Sequence, residues 1–262
     1  MRILITNDDG ISAPGLAVAE AIAAEIAGSD ADVWIVAPAF EQSGVGHCVS
    51  YIRPMRLEPL GPRRFAVEGS PADCVLAAVG EVLRDRPPDL VISGVNRGHN
   101  LAEDTLYSGT VGGAMEAALA GLRAVALSQY FGPPDREARD PFDAARGWGA
   151  RICRRLIEAA AWAPTPYGVF YNLNFPALPA GEVRGARVTV QGQRLAPTFG
   201  VQPHVAPNGR QYLWLTHRHG NGETLPGSDS RECHDGFVTV TPLRADLTAH
   251  DLVAPLAAAL ER

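Results

Sequence analysis

The amino-acid sequence predicts an α/β fold, a three-layer, doubly wound (Rossmann-like) and mostly parallel sheet. Short apolar runs with β-branched residues alternate with helical patterns through the first half of the chain, the order expected of a parallel sheet with helices on both faces. The 262 residues allow one large domain of this kind. A chain of this length buries enough apolar surface to need no disulfide or structural metal for its core.

The predicted elements follow one another in the order strand, helix, strand. Six apolar runs are predicted as strands, at residues 3–5, 33–36, 64–67, 89–93, 124–127 and 169–173. Four helical patterns lie between these strands, at residues 14–27, 70–83, 109–121 and 142–161. Pro14 suits the first turn of the first helix, and Ser70 followed by Pro71 is typical of the start of the second.

The character of the sequence changes after about Pro176, where proline and glycine become frequent. Short β-like runs at 186–190, 211–216 and 237–241 predict a smaller β-rich region or extended hairpins. A closing helix is predicted at 248–260, with Thr248 as its N-cap. We therefore divide the chain into an α/β core at 1–176, a β-rich subdomain at 177–247 and a C-terminal helix at 248–262.

Composition excludes several classes of function. All 23 basic residues are arginine, so the chain has no lysine for a Walker A loop or for a Schiff base. The net charge of −6 argues against a nucleic-acid polymer or an anionic membrane as the main partner. No stretch approaches the length of a membrane span or a signal peptide, and the four cysteines are widely spaced, as in proteins with reduced thiols. We therefore expect a cytoplasmic protein.

Polar side chains follow the predicted strands where each strand ends. Asp8 and Asp9 follow the first strand, Ser43 lies in the loop after the second, and Asn96 follows the strand at 89–93. Ligands of open α/β sheets bind at this carboxyl edge, so we expect these side chains to lie together. Adjacent carboxylates repel each other unless a cation neutralises them, and carboxylate, hydroxyl and amide oxygens suit Mg²⁺ or Mn²⁺. Alternatively, one aspartate caps a helix and the other is solvated, while Ser43 and Asn96 form turns.

A segment of small residues, Ser108-Gly109-Thr110, begins the helical pattern at 109–121. Free backbone N–H groups and the helix dipole make such a start an anion site, and a phosphate is the ligand it suits. The competing interpretation, that Ser108 or Thr110 is an ordinary N-cap, is compatible with the first.

Several blocks of the sequence, in this order, resemble the SurE family of survival-protein nucleotidases. The matching blocks are residues 5–10 (ITNDDG), 14–15 (PG), 36–38 (VAP), 42–44 (QSG), 69–74 (GSPADC), 93–100 (SGVNRGHN), 107–112 (YSGTVG), 171–176 (YNLNFP) and 239–243 (TVTPL). Two departures are small, since Ser70 stands where the family usually has threonine and residues 230–234 are unusually polar.

The resemblance implies a specific site and activity. It places one divalent metal ion, Mg²⁺ or Mn²⁺, on four residues: Asp8, Asp9, Ser43 and Asn96. It places the substrate phosphate at Ser108, Gly109 and Thr110, with Asn100 close by. It implies hydrolysis of nucleoside 5′- and 3′-monophosphates, with polyphosphate cleavage in some members. It also implies a homodimer or homotetramer that exchanges extended hairpins, which would use the β-rich region.

For the mechanism we hypothesise in-line attack on phosphorus by a water that the metal activates, with Asp8 and Asp9 essential for catalysis. A covalent phosphate on Asp8 is the alternative. Two other classes stay open at this point: a non-catalytic nucleotide-binding module, which would bind without turnover, and a nicotinamide-dependent oxidoreductase, for which the glycine fingerprint is missing.

Overall fold

The computed structural model describes residues 1–132, 140–162, 167–194, 199–217 and 224–261. The strands are β1 (Arg2–Thr6), β2 (Asp32–Pro38), β3 (Leu57–Gly61), β4 (Arg64–Val67), β5 (Leu90–Arg97), β6 (Ala124–Gln129), β7 (Phe170–Phe175), β8 (Ala186–Val188), β9 (Phe199–Val205), β10 (Gln211–His217) and β11 (Val238–Leu243). Within the described ranges, nine of them form one sheet in the order β3-β4-β2-β1-β5-β6-β7-β11-β8.

The centre of this sheet is parallel, as predicted. Strand β1 pairs in parallel with β2 and β5, and the parallel pairing continues through β6 to β7. Antiparallel pairs occur towards the two edges, where β3 meets β4 and β11 meets β7. The fold is therefore a doubly wound, mostly parallel α/β fold.

The helices are α1 (Pro14–Ala27), α2 (Pro71–Ala77), α3 (Gly109–Leu119), α4 (Asp143–Ala159), α5 (Asp229–His234) and α6 (His250–Leu260). Two of them, α1 and α4, pack on one face of the sheet, and α2 and α3 pack on the other. Successive side chains of β1 point to alternate faces of the sheet, since Ile3 and Ile5 pack in the core on one face and Leu4 packs in the core on the other. This alternation explains why the strand is apolar at every position.

Helix α2 begins where the sequence predicts and ends earlier. The Ser70 hydroxyl accepts from the Asp73 N–H at 3.1 Å, and the Asp73 carboxylate accepts from the Ser70 N–H at 2.8 Å, which makes a complete capping box. Regular α-helix stops at Ala77, and a π-helical turn at Ala78–Val82 covers most of the remaining predicted length.

The Thr248 cap is wrong. The closing helix starts at His250 and has Ala249 at its N-cap position, with no side-chain hydrogen bond. The Thr248 N–H instead donates to Asp246 at 2.9 Å, and the same carboxylate lies 2.7 Å from the His250 ring. The local turn therefore uses Asp246 as its acceptor.

The β-rich region is partly continuous with the main sheet. Strands β8 and β11 both lie beyond residue 176 and both hydrogen-bond into that sheet, whereas β9 and β10 form a separate antiparallel hairpin. The main sheet therefore continues beyond the division proposed at residue 176. None of the helices that the structure describes is long and apolar enough to cross a membrane.

Candidate active site

A cavity of about 470 Å³ opens at the carboxyl ends of β1 and β5, where the sequence predicted a ligand site. It is lined by Asp8, Ser43, Gly44, Asn96, Arg97, Gly98, His99, Asn100, Asp104, Tyr107, Ser108, Tyr130, Phe131, Gly132 and Phe199. Five of the residues singled out in the sequence are in this set: Asp8, Ser43, Asn96, Asn100 and Ser108. The other three, Asp9, Gly109 and Thr110, lie directly behind it and contact residues of the wall or adjoin them in the chain.

Asp8 is held by the first turn of α3. The Thr110 hydroxyl donates to Asp8 Oδ1 at 2.6 Å, and the Thr110 N–H donates to Asp8 Oδ2 at 3.1 Å. Burial, followed by the neighbouring charge of Asp9, raises the pKa of Asp8 to about 6 against the opposing effect of these bonds. Among the described residues, no cationic side chain contributes to holding this carboxylate in its charged form.

Asp9 is in a similar position. Its Oδ2 accepts from the Arg97 N–H at 2.9 Å, and burial followed by the charge of Glu41 raises its pKa. Ser43 lies beside Glu41, because the Ser43 hydroxyl donates to Glu41 Oε1 at 2.9 Å. Negative charge is thus concentrated around one edge of the cavity.

The donor set fits a hard divalent cation. The Asn96 side-chain N–H donates to the Gly98 carbonyl at 3.0 Å, which leaves the Asn96 amide oxygen as its accepting atom. The described residues contain no group of three or more His, Cys, Asp or Glu side chains placed to hold a metal. A cation here would therefore rely on Ser43 and Asn96 in addition to Asp8 and Asp9, and all four would offer oxygen atoms.

The helix start at 108–110 is closely packed against Asp8. Ser108 is the N-cap of α3, since its hydroxyl accepts from the Val111 N–H at 3.1 Å. A Cβ on Gly109 would lie 2.8 Å from the Cβ of Asp8, so only glycine allows this approach. Both donors of Thr110 are used by Asp8 in this structure, and a contact between Thr110 and phosphate stays a prediction.

Asn100 is fixed deep in the wall. Its side-chain N–H donates to the Ser128 hydroxyl at 2.7 Å, and its backbone N–H donates to Asn174 at 2.8 Å. The residue is 6% exposed and still lines the cavity. Its orientation is set by the neighbouring strands and does not depend on a ligand.

The opposite wall was not predicted. It contains Asp104, whose two carboxylate oxygens each lie 2.6 Å from a terminal guanidinium nitrogen of Arg194, a residue outside the cavity lining. His99 Nδ1 is 3.2 Å from the same carboxylate, and burial lowers the pKa of His99. An aromatic pair completes the wall, with the rings of Tyr107 and Phe199 5.0 Å apart.

The sequence indicated no role for four residues in or near the cavity: Arg97, His99, Arg194 and Phe199. Arg97 is the last residue of β5 and His99 follows it, both within the block at 93–100, but nothing in that block gave either residue a role. Arg194 lies in the irregular region after β8 and Phe199 begins β9, and no local pattern in the sequence indicates what either residue packs against.

The Asp104–Arg194 pair leads to a prediction on stability and pH. Burial alone would raise the pKa of Asp104, but the hydrogen bonds of Arg194 and then of His99 hold it well below its usual range. A lowered pKa means that the pair stabilises the folded state above the unfolded pKa of about 3.9 and loses this contribution as pH falls below it. We expect Asp104→Asn to lower the free energy of unfolding by roughly 2 kcal/mol at pH 7.

Urea denaturation at pH 7 and near pH 3 measures this effect, and the difference between variant and wild type should shrink at the lower pH. Glu81→Gln is the control, because the Glu81–Arg84 pair lies on the surface and should contribute nothing measurable at either pH. An equal loss for Asp104→Asn at both values would contradict the assignment of the effect to the carboxylate charge.

The fold and the cavity define a class: doubly wound α/β proteins with an acidic ligand site at the carboxyl ends of the strands. Residues 3–197 match the family model described as Survival protein SurE. A protein of Cereibacter sphaeroides (strain KD131 / KCTC 12085) named 5'-nucleotidase SurE is 60% identical over 258 residues, which are 98% of this chain and 99% of that protein. A protein of Jannaschia sp. (strain CCS1) with the same name is 54% identical over 263 residues, covering all of both chains.

The solved structures agree with the sequence comparisons. The crystal structure of the SurE protein from Aquifex aeolicus superposes on this chain with a TM-score of 0.81 at 32% identity, and all of both chains is covered. The chain belongs to the SurE family. The resemblance found in the sequence is therefore confirmed, and so is the α/β fold that the order of strands and helices predicted.

Proposed function

We propose that this protein is a nucleotidase that hydrolyses nucleoside 5′-monophosphates to nucleoside and phosphate. The observation that carries the proposal is the Asp8–Asp9 pair at the strand ends, with Asp8 buried and lining the cavity, in a chain whose relatives are named 5'-nucleotidase SurE. Hydrolysis of 3′-monophosphates and a side activity on polyphosphate are finer parts of the proposal and rest on the family resemblance.

We also propose one divalent metal ion, Mg²⁺ or Mn²⁺, held by Asp8, Asp9, Ser43 and Asn96. The support is the all-oxygen donor set and the raised pKa of both aspartates. Burial and neighbouring negative charge make the ionised carboxylates unfavourable, and a bound cation would compensate both effects. Bound there, the ion supplies positive charge that offsets the charge of the phosphoryl oxygens.

The residues of this chain position the reactants. Thr110 fixes the Asp8 carboxylate and the Arg97 N–H fixes that of Asp9, so both acids are oriented before substrate binds. The N–H groups of Thr110 and Val111 in the first turn of α3 donate to Asp8 and Ser108, so at this helix start the support for a bound phosphate is the positive end of the helix dipole. In the reaction, water adds to phosphorus, the ester P–O bond breaks and the nucleoside leaves.

An assay of phosphate release tests the proposal. We expect adenosine 5′-monophosphate and other nucleoside 5′-monophosphates to release phosphate in the presence of Mg²⁺ or Mn²⁺, and a chelator such as EDTA to abolish release. Added metal should restore it, because the oxygen ligands bind reversibly. Tight nucleotide binding without phosphate release, with either metal present, would instead identify a binding module.

We propose that the protein forms a homodimer or homotetramer through the β9–β10 hairpin and α6. Large apolar side chains of the hairpin are exposed, including Trp214 at 65% and Leu215 at 74%, and every described residue of α6 is exposed as well. Exposed apolar patches of this kind favour a protein partner. The division of the chain at 176 and 247, the cytoplasmic location and the absence of nucleic-acid or membrane partners stay predictions from the sequence.

A further inference from the structure

Arg97 is a cation in an acidic cavity. It is the last residue of β5, and its side chain is exposed and lines the cavity beside Asn96. Among the lining residues that the structure describes, it is the one with a permanently positive side chain. The chain has no lysine, so another permanent side-chain charge could come only from an arginine.

A second arginine near the cavity, Arg194, already forms an ion pair with Asp104. Arg194 makes a two-point contact with Asp104 and is 9% exposed, so it has little freedom to meet a ligand. His99 does not replace it near neutral pH, because burial lowers its pKa. No ion pair joins Arg97 to a carboxylate within the described part of the chain, although its charge is close enough to lower the pKa of Asp9.

The backbone of Arg97 is anchored while its guanidinium stays available. Arg97 pairs with Gln129 of β6, the next residue donates its N–H to the Gln129 carbonyl at 3.0 Å, and the Arg97 N–H donates to Asp9. A strand end fixed in this way presents its side chain from a constant position. The position adjoins the acidic edge where the phosphate is proposed to bind.

We propose that Arg97 binds the phosphoryl group of the substrate through a two-point contact of its guanidinium with two phosphoryl oxygens. This inference rests on the proposed function. A dianionic phosphate must approach Asp8, Asp9 and Glu41, and a guanidinium matches the geometry of phosphate oxygens better than any other side chain. Arg97 is then a substrate-binding residue that determines affinity for the phosphate and does not contribute to selection of the nucleoside.

A simpler role gives different results. If Arg97 only offsets the negative charge of Asp9 and Glu41, Arg97→Lys should keep wild-type phosphate affinity, because it keeps the charge. If the guanidinium contacts two phosphoryl oxygens, Arg97→Lys should weaken substrate and free phosphate together, and Arg97→Gln should weaken them further, without weakening metal binding. The two roles are therefore separable in one set of measurements.

The test uses the full chain with Arg97→Gln, Arg97→Lys and the control Arg155→Gln, which removes an exposed arginine from α4. The measurements are KM and kcat for adenosine 5′-monophosphate at saturating Mn²⁺, inhibition by inorganic phosphate, and calorimetric titration with Mn²⁺. We expect Arg97→Gln to raise both KM and the phosphate inhibition constant about tenfold or more, with the control unchanged. Arg97→Lys should keep part of the affinity, because it keeps the charge and loses the two-point geometry.

Wild-type values of KM and phosphate inhibition in Arg97→Gln would overturn the inference, whatever happens to Mn²⁺ affinity. If Arg97→Gln does not fold or does not bind Mn²⁺, Arg97→Lys decides, since unchanged phosphate inhibition in that variant also overturns the two-point contact. If the wild type releases no phosphate from any nucleotide, the proposed function fails. Calorimetric binding of inorganic phosphate to the Mn²⁺-loaded wild type and Arg97→Gln then tests Arg97 by itself.

Discussion

Asp8→Asn is expected to reduce phosphate release from nucleoside monophosphates by at least about two to three orders of magnitude, or about 3 kcal/mol of transition-state stabilisation. Asparagine keeps the shape of the side chain and removes the charge. One of its oxygens becomes an NH₂ group, which cannot accept a hydrogen bond and cannot ligate a cation. The donors of Thr110 that now hold the carboxylate would then face one acceptor instead of two.

Asp9→Asn is expected to behave in the same way, because Asp9 belongs to the same acidic edge. Steady-state rates at increasing Mn²⁺, with calorimetric titration of the metal, measure both losses. Asp85→Asn is the matched control, since it removes a carboxylate from the exposed turn before β5 and should leave both unchanged. Full metal-dependent turnover in Asp9→Asn would show that the metal site is assigned to the wrong residues.

Removing either carboxylate should also make the fold more stable in the absence of metal. Burial raises the pKa of Asp8 to about 6, so its charge is less favourable in the folded chain than in the unfolded one near neutral pH. A group with a raised folded pKa destabilises the fold as pH rises above its unfolded value. Activity and metal-free stability should therefore change in opposite directions, which distinguishes a functional acid from a structural one.

The sequence predicted the acidic edge of this cavity, where we propose the metal, because that edge depends on local order. Each candidate ligand lies at the end of a strand, directly after it or in the loop that follows, and parallel strands bring their carboxyl ends to one edge. Asp8, Ser43 and Asn96 line the cavity as expected. Nothing beyond strand positions was needed to bring them together.

The other wall depends on contacts between distant parts of the chain. Arg194 reaches Asp104 across 90 positions of sequence, and Phe199 meets Tyr107 from the start of the β9–β10 hairpin. No pattern at either residue predicts its partner. Thr110 shows a subtler limit, because a helix start can direct its donors to a ligand or to a side chain, and here they meet Asp8.

Gly15→Ala is expected to lower the free energy of unfolding by at least about 3 kcal/mol. Gly15 lies in the first turn of α1, where helix propensity alone would favour alanine by roughly 0.5–1 kcal/mol. Packing opposes this preference, because a Cβ at Gly15 would lie 1.9 Å from the Val95 carbonyl oxygen. That oxygen belongs to the backbone of β5 and cannot rotate away, so α1 or β5 must move.

The control for this effect is Gly80→Ala. No atom lies within 4 Å of a Cβ built on Gly80, and its backbone has an ordinary negative φ, so the variant should be neutral or more stable by up to about 1 kcal/mol. Urea denaturation of both variants, with equal slopes, measures the difference. Comparable stabilities would mean that α1 shifts at little cost.

The position of Gly15 also links stability to the active site. Val95 immediately precedes Asn96 and Arg97, so a shift of β5 at Val95 would carry a proposed metal ligand and the proposed phosphate contact with it. Below its unfolding transition, the folded fraction of Gly15→Ala should therefore bind Mn²⁺ and phosphate more weakly than wild type. Gly80→Ala, on the π-helical turn after α2, should bind both normally. Wild-type binding in folded Gly15→Ala would mean that α1 moves and β5 does not.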